Sequence, residues 1–403
     1  MSSSPRVLCI VLAGGQGSRL GPLTVGRAKP SLPVGGHYRL IDIALSNAAH
    51  SGLGHVWVLQ QYEPHLLDEH LAGGRPWDLD RTRGGFRTLP PYQGQDQDGF
   101  AQGNASALLQ NWPVIEALDP DVLVVCSADH LFRLDHRPVI TEHLESGNEA
   151  TIVTTTVPRA ADAARALVVR SDGGRVTAVD NKPDEPAGRE VGTEVFLYSP
   201  AALAEHLSAL TAAGGELGDY GDRLIPSMVD GGRVGAVRHQ GYWRDLGTPE
   251  SYLDGQLDLL RDRPALRLDD EDWPMLTSMP IRSPARVRSG AELERAWLSP
   301  GADVAGSVVN SILGPGVRVE AGAHVQDSVL MHDVVIRAGA RVERSVVAEN
   351  ASVGRDARVG SNTADEPVPV LIGARRRVAA GAVLEPGATL DPTSPRSALH
   401  AAR

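Results

Sequence analysis

The sequence predicts an α/β domain, a mostly parallel sheet with helices on both faces, followed by a left-handed parallel β-helix of hexapeptide repeats. Two observations carry this. Over roughly the first 260 of 403 residues, strand-like and helix-like segments alternate, the pattern of a parallel sheet covered on both faces. From about Gly301 onward, apolar residues recur with a period of 17 and an inner step of six, which helical heptads cannot produce.

Val7 to Leu12 is a continuous apolar run ending in glycines, as a buried parallel strand would. Tyr38 to Ser51 has apolar residues at helical spacing. His55 to Leu59 reads as a strand, Ala105 to Leu118 as a helix, Asp121 to Cys126 as a strand, and Ala150 to Val157 as a β-branched strand. Leu167 to Val179 reads as a hairpin turning at Asp172-Gly173-Gly174, and Pro249 to Leu260 as a closing helix. Arg261 to Ser299 mixes Pro, Arg and both charges and reads as a connector. The expected organisation is therefore residues 1–260, a connector at 261–300, a β-helix at 301–391 and a frayed tail at 392–403. In the repeats, Val319, Ile336 and Val353 form one row, Val325, Val342 and Val359 a second, and Ile312, Val329 and Val346 a third. Val378, Leu384 and Leu390 resume the six-residue step after an interruption at Ser361 to Val370. Each inward aliphatic is expected to stack on its equivalent one coil away.

Composition narrows the function. A net charge of −11 with no basic face or tail argues against nucleic acid as the partner. No run of 18 apolar residues suggests a membrane span. The opening Met1-Ser2-Ser3-Ser4-Pro5-Arg6 lacks the apolar core of a signal peptide, so a cytoplasmic location is expected. Cys9 and Cys126 lie inside apolar runs and read as small buried residues rather than a disulfide. Of the 39 basic residues only two are lysine, Lys29 and Lys182, and each precedes a proline. Arginine is a planar fork while lysine is a compact point charge on a flexible stem. Two surviving lysines fit sites that place one ammonium against a phosphate, although compositional drift would also leave a few.

After the first strand comes Leu12-Ala13-Gly14-Gly15-Gln16-Gly17-Ser18-Arg19-Leu20. A Gly-rich turn after a strand lets backbone N–H groups approach phosphates. It is not the dinucleotide fingerprint, because Arg19-Leu20 stands where a third glycine is needed, and no Gly-Lys-Ser/Thr makes it a P-loop. The glycines alone also fit an ordinary tight βα turn. Arg19 in the same loop would meet a triphosphate.

With Pro22-Leu23-Thr24, Arg27-Ala28-Lys29-Pro30, Gly35-Gly36, Tyr38-Arg39-Leu40-Ile41-Asp42 and Leu45-Ser46-Asn47, this opening resembles that of the ADP-glucose pyrophosphorylase (glucose-1-phosphate adenylyltransferase) family. The resemblance continues through Gln61-Tyr62, Ala128-Asp129-His130, Lys182-Pro183, Asp219-Tyr220-Gly221, Leu224-Ile225-Pro226 and Tyr242 to Thr248, and fits the β-helix. It implies a Rossmann-like nucleotidyltransferase domain. It implies that a nucleoside triphosphate, ATP in the family, and a sugar 1-phosphate, glucose 1-phosphate by default, give a nucleotide sugar and pyrophosphate. Positioning and charge neutralisation would carry such an in-line attack. By position, Asp129 and Asp245 would hold Mg²⁺, and Arg19 and Lys29, with Asp129, would act at the reacting phosphates. Leu12, Ala13, Gly14, Gly15, Gly17, Gln61 and Gly103 would bind the nucleotide. Asn181, Lys182, Gly192, Asp219 and Tyr220 would bind the sugar phosphate. The resemblance also implies a homo-oligomer, a dimer or tetramer. By local pattern alone Asp129 also reads as a strand-end turn residue, and Asp245 as a salt-bridge partner or a cap before Thr248-Pro249.

The pattern is broken in the sugar half. The family's Gly-Thr-Ala-Asp-Ala is Gly103-Asn104-Ala105-Ser106-Ala107, its Ala-Gly-Asp-His is Ser127-Ala128-Asp129-His130, its Glu-Lys-Pro is Asn181-Lys182-Pro183, and its Ser-Met-Gly-Ile-Tyr is Glu190-Val191-Gly192-Thr193-Glu194. An amide at Asn181 donates as well as accepts, so the hydroxyl pattern it selects differs from a carboxylate's. An amino-sugar or cyclitol 1-phosphate, with ATP or GTP, is the alternative substrate. The family's effector lysine before Arg-Ala-Lys-Pro is absent, since Gly26-Arg27 stands there, and Arg375-Arg376-Arg377 reads as a solvated charge run or an anion site. Two other classes compete. One is a non-catalytic regulatory subunit, against which Arg19, Lys29, Asp129, Lys182 and Asp245 are all retained. The other is an acyltransferase using His324 or His332 of the repeats.

Overall fold

The computed structural model describes residues 5–90, 103–363 and 368–392. The chain forms two compact units. The first comprises Met1–Gly15, Ile43–Ala128 and Phe132–Trp243; the second comprises Gln16–Asp42, Asp129–Leu131 and Arg244–Arg403. The expected tail at Pro392 to Arg403 lies, beyond Pro392, outside the described residues, as do residues 364–367 of the expected interruption.

The first unit is built on a nine-stranded sheet. Its order is Gly85–Leu89, His55–Gln60, Val7–Ala13, Val122–Ser127, Glu190–Tyr198, Ala150–Thr156, Val234–Arg238, Arg175–Asn181 and Leu167–Asp172. Val7–Ala13 runs parallel to both neighbours, pairing Ala13 with Gln60 and Leu12 with Ser127. Leu8, Cys9, Ile10 and Val11 are fully buried, which is why this strand reads as an unbroken apolar run. Cys9 and Cys126 are buried and unbridged, as expected. Glu190–Tyr198 runs antiparallel to both of its long partners, a reversal that hydrophobic pattern does not encode. The hairpin turns where expected, with Gly173 (φ 56°) and Gly174 (φ 82°) both left-handed, as a type I′ turn requires.

One expected element is broken. Ala105 to Leu118 is two helices, Asn104–Gln110 and Trp112–Leu118, separated at Asn111. Pro113 has no N–H to donate to Leu109 and its ring crowds that turn, so it opens the second helix instead of continuing the first.

The second unit holds the β-helix. One ladder runs through Arg286–Val287, Asp303–Val304, Arg318–Val319, Val335–Ile336, Ser352–Val353 and Arg377–Val378. The register pairs Val319 with Ile336 and Ile336 with Val353, Val325 with Val342 and Val342 with Val359, and Ile312 with Val329 and Val329 with Val346. The rows through Val319 and Val325 are therefore stacks of inward side chains, nearly all fully buried. The row through Ile312, expected to point inward too, is buried but lies outside that core, because side chains alternate along a strand and the neighbours Leu313, Leu330 and Val347 take the inward face. Val353 pairs next with Val378, and Val359 with Leu384; the lengthened coil carries the interruption.

The same unit contains the loop after the glycine-rich turn and the helix Pro249–Asp258. Thr248 caps that helix, its Oγ1 accepting from Ser251 N at 3.2 Å, so the cap is Thr248 rather than Asp245. Gln256 Oε1 accepts from Gly35 N at 3.2 Å, and the Tyr252 hydroxyl donates to Pro33 O. Arg344 Nη2 donates to Asp254 Oδ1 at 3.0 Å, tying the helix to the β-helix.

Candidate active site

Lys29 sits in a short 3₁₀ turn, Lys29–Ser31, entered by extended Ala28 and started by Pro30. The fixed φ of proline suits that position. Leu32 N and Ser31 N close the turn onto Lys29 O and Ala28 O, each at 3.0 Å. Gly17 (φ 68°) passes so close that a Cβ there would lie 3.0 Å from Lys29 Cβ. The Lys29 side chain is 5% exposed.

Its ammonium meets two carboxylates. Lys29 Nζ donates to Asp129 Oδ2 at 2.7 Å and to Asp245 Oδ1 at 3.4 Å. Burial alone would pull this ammonium down, but the two carboxylates outweigh it and hold it above the usual lysine range. Asp129 immediately precedes the strand His130–Phe132, and Asp245 ends the strand Trp243–Asp245. The Ser251 hydroxyl donates to Asp245 O, fixing this end to the helix Pro249–Asp258. His130 Nδ1 lies 3.0 Å from Asp129 Oδ1, and its Nε2 lies 3.8 Å from Asp245 Oδ1. One ligand atom from each of Asp129, His130 and Asp245 falls within 4.8 Å of the others. Two part-exposed carboxylates are the hard oxygen donors that Mg²⁺ takes, with water and phosphate oxygens completing its shell. The donor set therefore fits that ion, while the His130 nitrogen suits softer metals better. Arg19, exposed at the start of the loop, belongs to the same cluster: a Cβ at Gly247 would lie 2.7 Å from Asp245 Oδ2 and 3.2 Å from Arg19 Nη2. Arg19, Lys29, Asp129 and Asp245 thus come together in the second unit. Sequence reasoning left out His130, although it adjoins Asp129 in the quoted motif.

Gly17 also lies in the second unit, and the first unit holds the other predicted residues. Leu12 and Ala13 are buried strand residues that position the glycine-rich turn. The pairing of Ala13 with Gln60 brings Gly14 and Gln61 to the same sheet edge, where a Cβ at Gly14 would lie 2.5 Å from Gln61 Oε1. Nothing lies within 4 Å of a Cβ placed at Gly15, so backbone can be approached there.

Gly103 (φ 94°) lies against the Gly218–Asp219 backbone, where a Cβ would come within 2.3 Å of Gly218 O; Asn104 N donates to Asp219 Oδ1 at 3.4 Å. Asp219 in turn accepts from Lys182 Nζ at 3.1 Å. Lys182 is left-handed (φ 52°), a conformation non-glycine residues hold at a cost. Burial lowers its ammonium, but Asp219, then Glu194 and Asp222, raise it above the usual range. Glu194 (φ 60°) lies where the register of Glu190–Tyr198 shifts between Gly192 and Phe196, as at bulges that re-aim a side chain. Asn181 Nδ2 donates to Asp222 Oδ1 at 2.7 Å, and Asp219 N donates to Asp222 Oδ2 at 2.8 Å. Asp222 was also missed; its signal was the three-residue spacing from Asp219. Tyr220 is buried, its ring 5.1 Å from that of Phe196.

A profile of the family described as nucleotidyl transferase matches residues 8–262, and one described as GlmU-like, C-terminal hexapeptide matches residues 283–368. With a strand-loop-turn lysine facing two aspartates, this defines a sugar-1-phosphate nucleotidyltransferase. Glucose-1-phosphate adenylyltransferases are the relatives: one from Clostridium botulinum is 36% identical over 80% of this chain and 83% of its own. Those from Pseudothermotoga lettingae and Thermotoga neapolitana are each 37% identical over 79% of this chain and 76% of theirs. The chain belongs to the glucose-1-phosphate adenylyltransferase family. Among the described residues no helix is long and apolar enough to cross a membrane.

Proposed function

We propose that the enzyme joins ATP to a sugar 1-phosphate, glucose 1-phosphate by family default, releasing pyrophosphate with Mg²⁺ bound at Asp129 and Asp245. The observation that carries this is the buried Lys29 ammonium held between those two carboxylates. In this reading Arg19 and Lys29 neutralise the departing pyrophosphate, and Lys182 holds the phosphate that attacks the α-phosphorus in line. Gly14, Gly15, Gly17, Gln61 and Gly103 frame the nucleotide. The bound metal would add charge neutralisation at the reacting phosphates. The catalytic part spans 1–260, and a connector shorter than the expected 261–300 leads to the β-helix, whose first strands are Arg286–Val287 and Glu292–Leu298. The enzyme is expected to act in the cytoplasm as a homo-oligomer.

One observation favours a different sugar. The Asn181 amide donates one N–H to Asp222, which leaves a second N–H to donate and the carbonyl oxygen to accept, where a carboxylate would only accept. A site built on such bonds discriminates by about 10⁴ or more against a mismatched hydroxyl pattern. The second reading is therefore an amino-sugar or cyclitol 1-phosphate, with ATP or GTP, in secondary metabolism. One experiment tests both: ATP, GTP, UTP and dTTP crossed with sugar, amino-sugar and cyclitol 1-phosphates, with Mg²⁺, reading pyrophosphate. Preference for ATP with glucose 1-phosphate supports the first reading, and a far higher kcat/KM on another acceptor supports the second. Nucleotide binding without pyrophosphate from any pair would instead identify a non-catalytic subunit.

A further inference from the structure

We propose that Glu349, on the β-helix, is a positioning residue for the reaction: through an ion pair with Arg27 it sets the turn that carries Lys29. Arg27 Nη2 contacts Glu349 Oε1, and the two side chains are only 7% and 11% exposed. This is a buried ion pair, unlike the exposed pairs Arg288–Asp303 and Arg282–Asp333 of the same β-helix. Both ends are anchored. Glu349 follows the strand Ser345–Val347, whose register to Val370–Ile372 is fixed. Its own carbonyl accepts from Arg375 N at 2.9 Å, and Asn350 N donates to His332 O at 3.0 Å. Arg27 directly precedes fully buried Ala28, the residue that enters the Lys29–Ser31 turn. The far end of that turn is held by Arg39, whose Nη1 donates to Ser31 O at 2.9 Å.

Charge makes the carboxylate necessary. Burial, then Arg39, draw the Arg27 guanidinium down to about 10, with Tyr252 opposing and Arg375 adding to the fall; Arg39 and Arg375 are thus cations near enough to repel it. Glu349 supplies the opposing charge in contact with Arg27. Without it, a buried guanidinium beside two other cations would have to shift toward water, and Lys29 lies two residues along the same backbone. A displacement of about 1 Å in such a group costs about a hundredfold in rate.

The inference rests on the nucleotidyltransfer reading, so the first control is wild-type pyrophosphate release. If the wild type releases none with any substrate pair, that reading fails, independently of Glu349. In active enzyme, Glu349→Gln is expected to lower kcat by about a hundredfold while KM for the sugar phosphate stays within about twofold, and Asp303→Asn to change neither. In Glu349→Ala, added acetate is expected to restore kcat saturably, a response a purely structural role would not show. Folded Glu349→Gln with wild-type kcat overturns the proposal. If the single variants do not fold, the apolar pair Arg27→Met with Glu349→Leu removes both buried charges together. A folded double variant with lost kcat supports positioning. A double variant with wild-type kcat, or one that also fails to fold, overturns it.

Discussion

Replacing Lys29 by methionine removes an ammonium with 5% exposure from between two carboxylates, at 2.7 and 3.4 Å. At an effective dielectric of about 20, the two attractions amount to roughly 6 and 5 kcal/mol. Desolvation of the ammonium offsets much of that, and breaking such a buried pair costs about 3–5 kcal/mol net. The Lys29 contribution is present at neutral pH: its folded pKa is raised above 10.5, so the stabilisation is complete below that value and is lost only as pH climbs through the folded pKa. The metal-free Lys29→Met variant should therefore unfold earlier than the wild type at pH 7. The sign with metal is opposite. A divalent cation reaching Asp129 and Asp245 in the wild type must displace the ammonium, and in the variant it need not. Adding Mg²⁺ or Mn²⁺ without nucleotide should raise the unfolding midpoint more in Lys29→Met than in the wild type, while pyrophosphate release falls by more than about tenfold. The assay is thermal unfolding across a metal titration, paired with the release assay. Equal midpoints and equal metal shifts in the two proteins would refute the reasoning.

Four further outcomes rest on particular contacts. Lys182→Arg, at a half-exposed position, should leave stability within about 0.5 kcal/mol yet lower kcat/KM for the sugar phosphate by more than about tenfold; unchanged kinetics would remove Lys182 from the phosphate. Gly14→Ala places a Cβ 2.5 Å from Gln61 Oε1 and should raise KM for the nucleotide by about tenfold with kcat less affected, read from initial rates. His136 is 1% exposed and burial pushes it down to about 4. Its neutral form is favoured by the fold, so stability holds above 6.5 and falls by about 3 kcal/mol as pH drops from 6.5 to 4; His136→Leu should flatten that part of the urea-midpoint profile. Ile336→Ala, fully buried between Val319 and Val353, should cost about 2–5 kcal/mol by chemical denaturation.

The β-helix was legible because its register is written into the chain. One coil stacks on the next, so a period in sequence becomes a row in space, and the rows through Val319, Val325 and Ile312 pair as their spacing requires. The two lysines stood out through rarity alone, and the family motifs imply a phosphate for each. Pro113 should have signalled the break at Asn111; apolar spacing over Ala105 to Leu118 concealed it.

The sequence by itself determined the strand-and-helix alternation and the coil period, because these depend on neighbours a few positions away or on a fixed repeat. Only the tertiary structure decided what faces what. Lys29 and Asp245 are 216 positions apart, and Asn181 and Asp222 are 41 apart; no local pattern carries such pairings. Chain order placed the loop Gln16–Asp42 with the first strands, but packing groups it with the β-helix. There a buried arginine needs a carboxylate, and Glu349 provides it. Burying a charge is costly unless it is paired, so the ion pairs that position this site were selected by the fold.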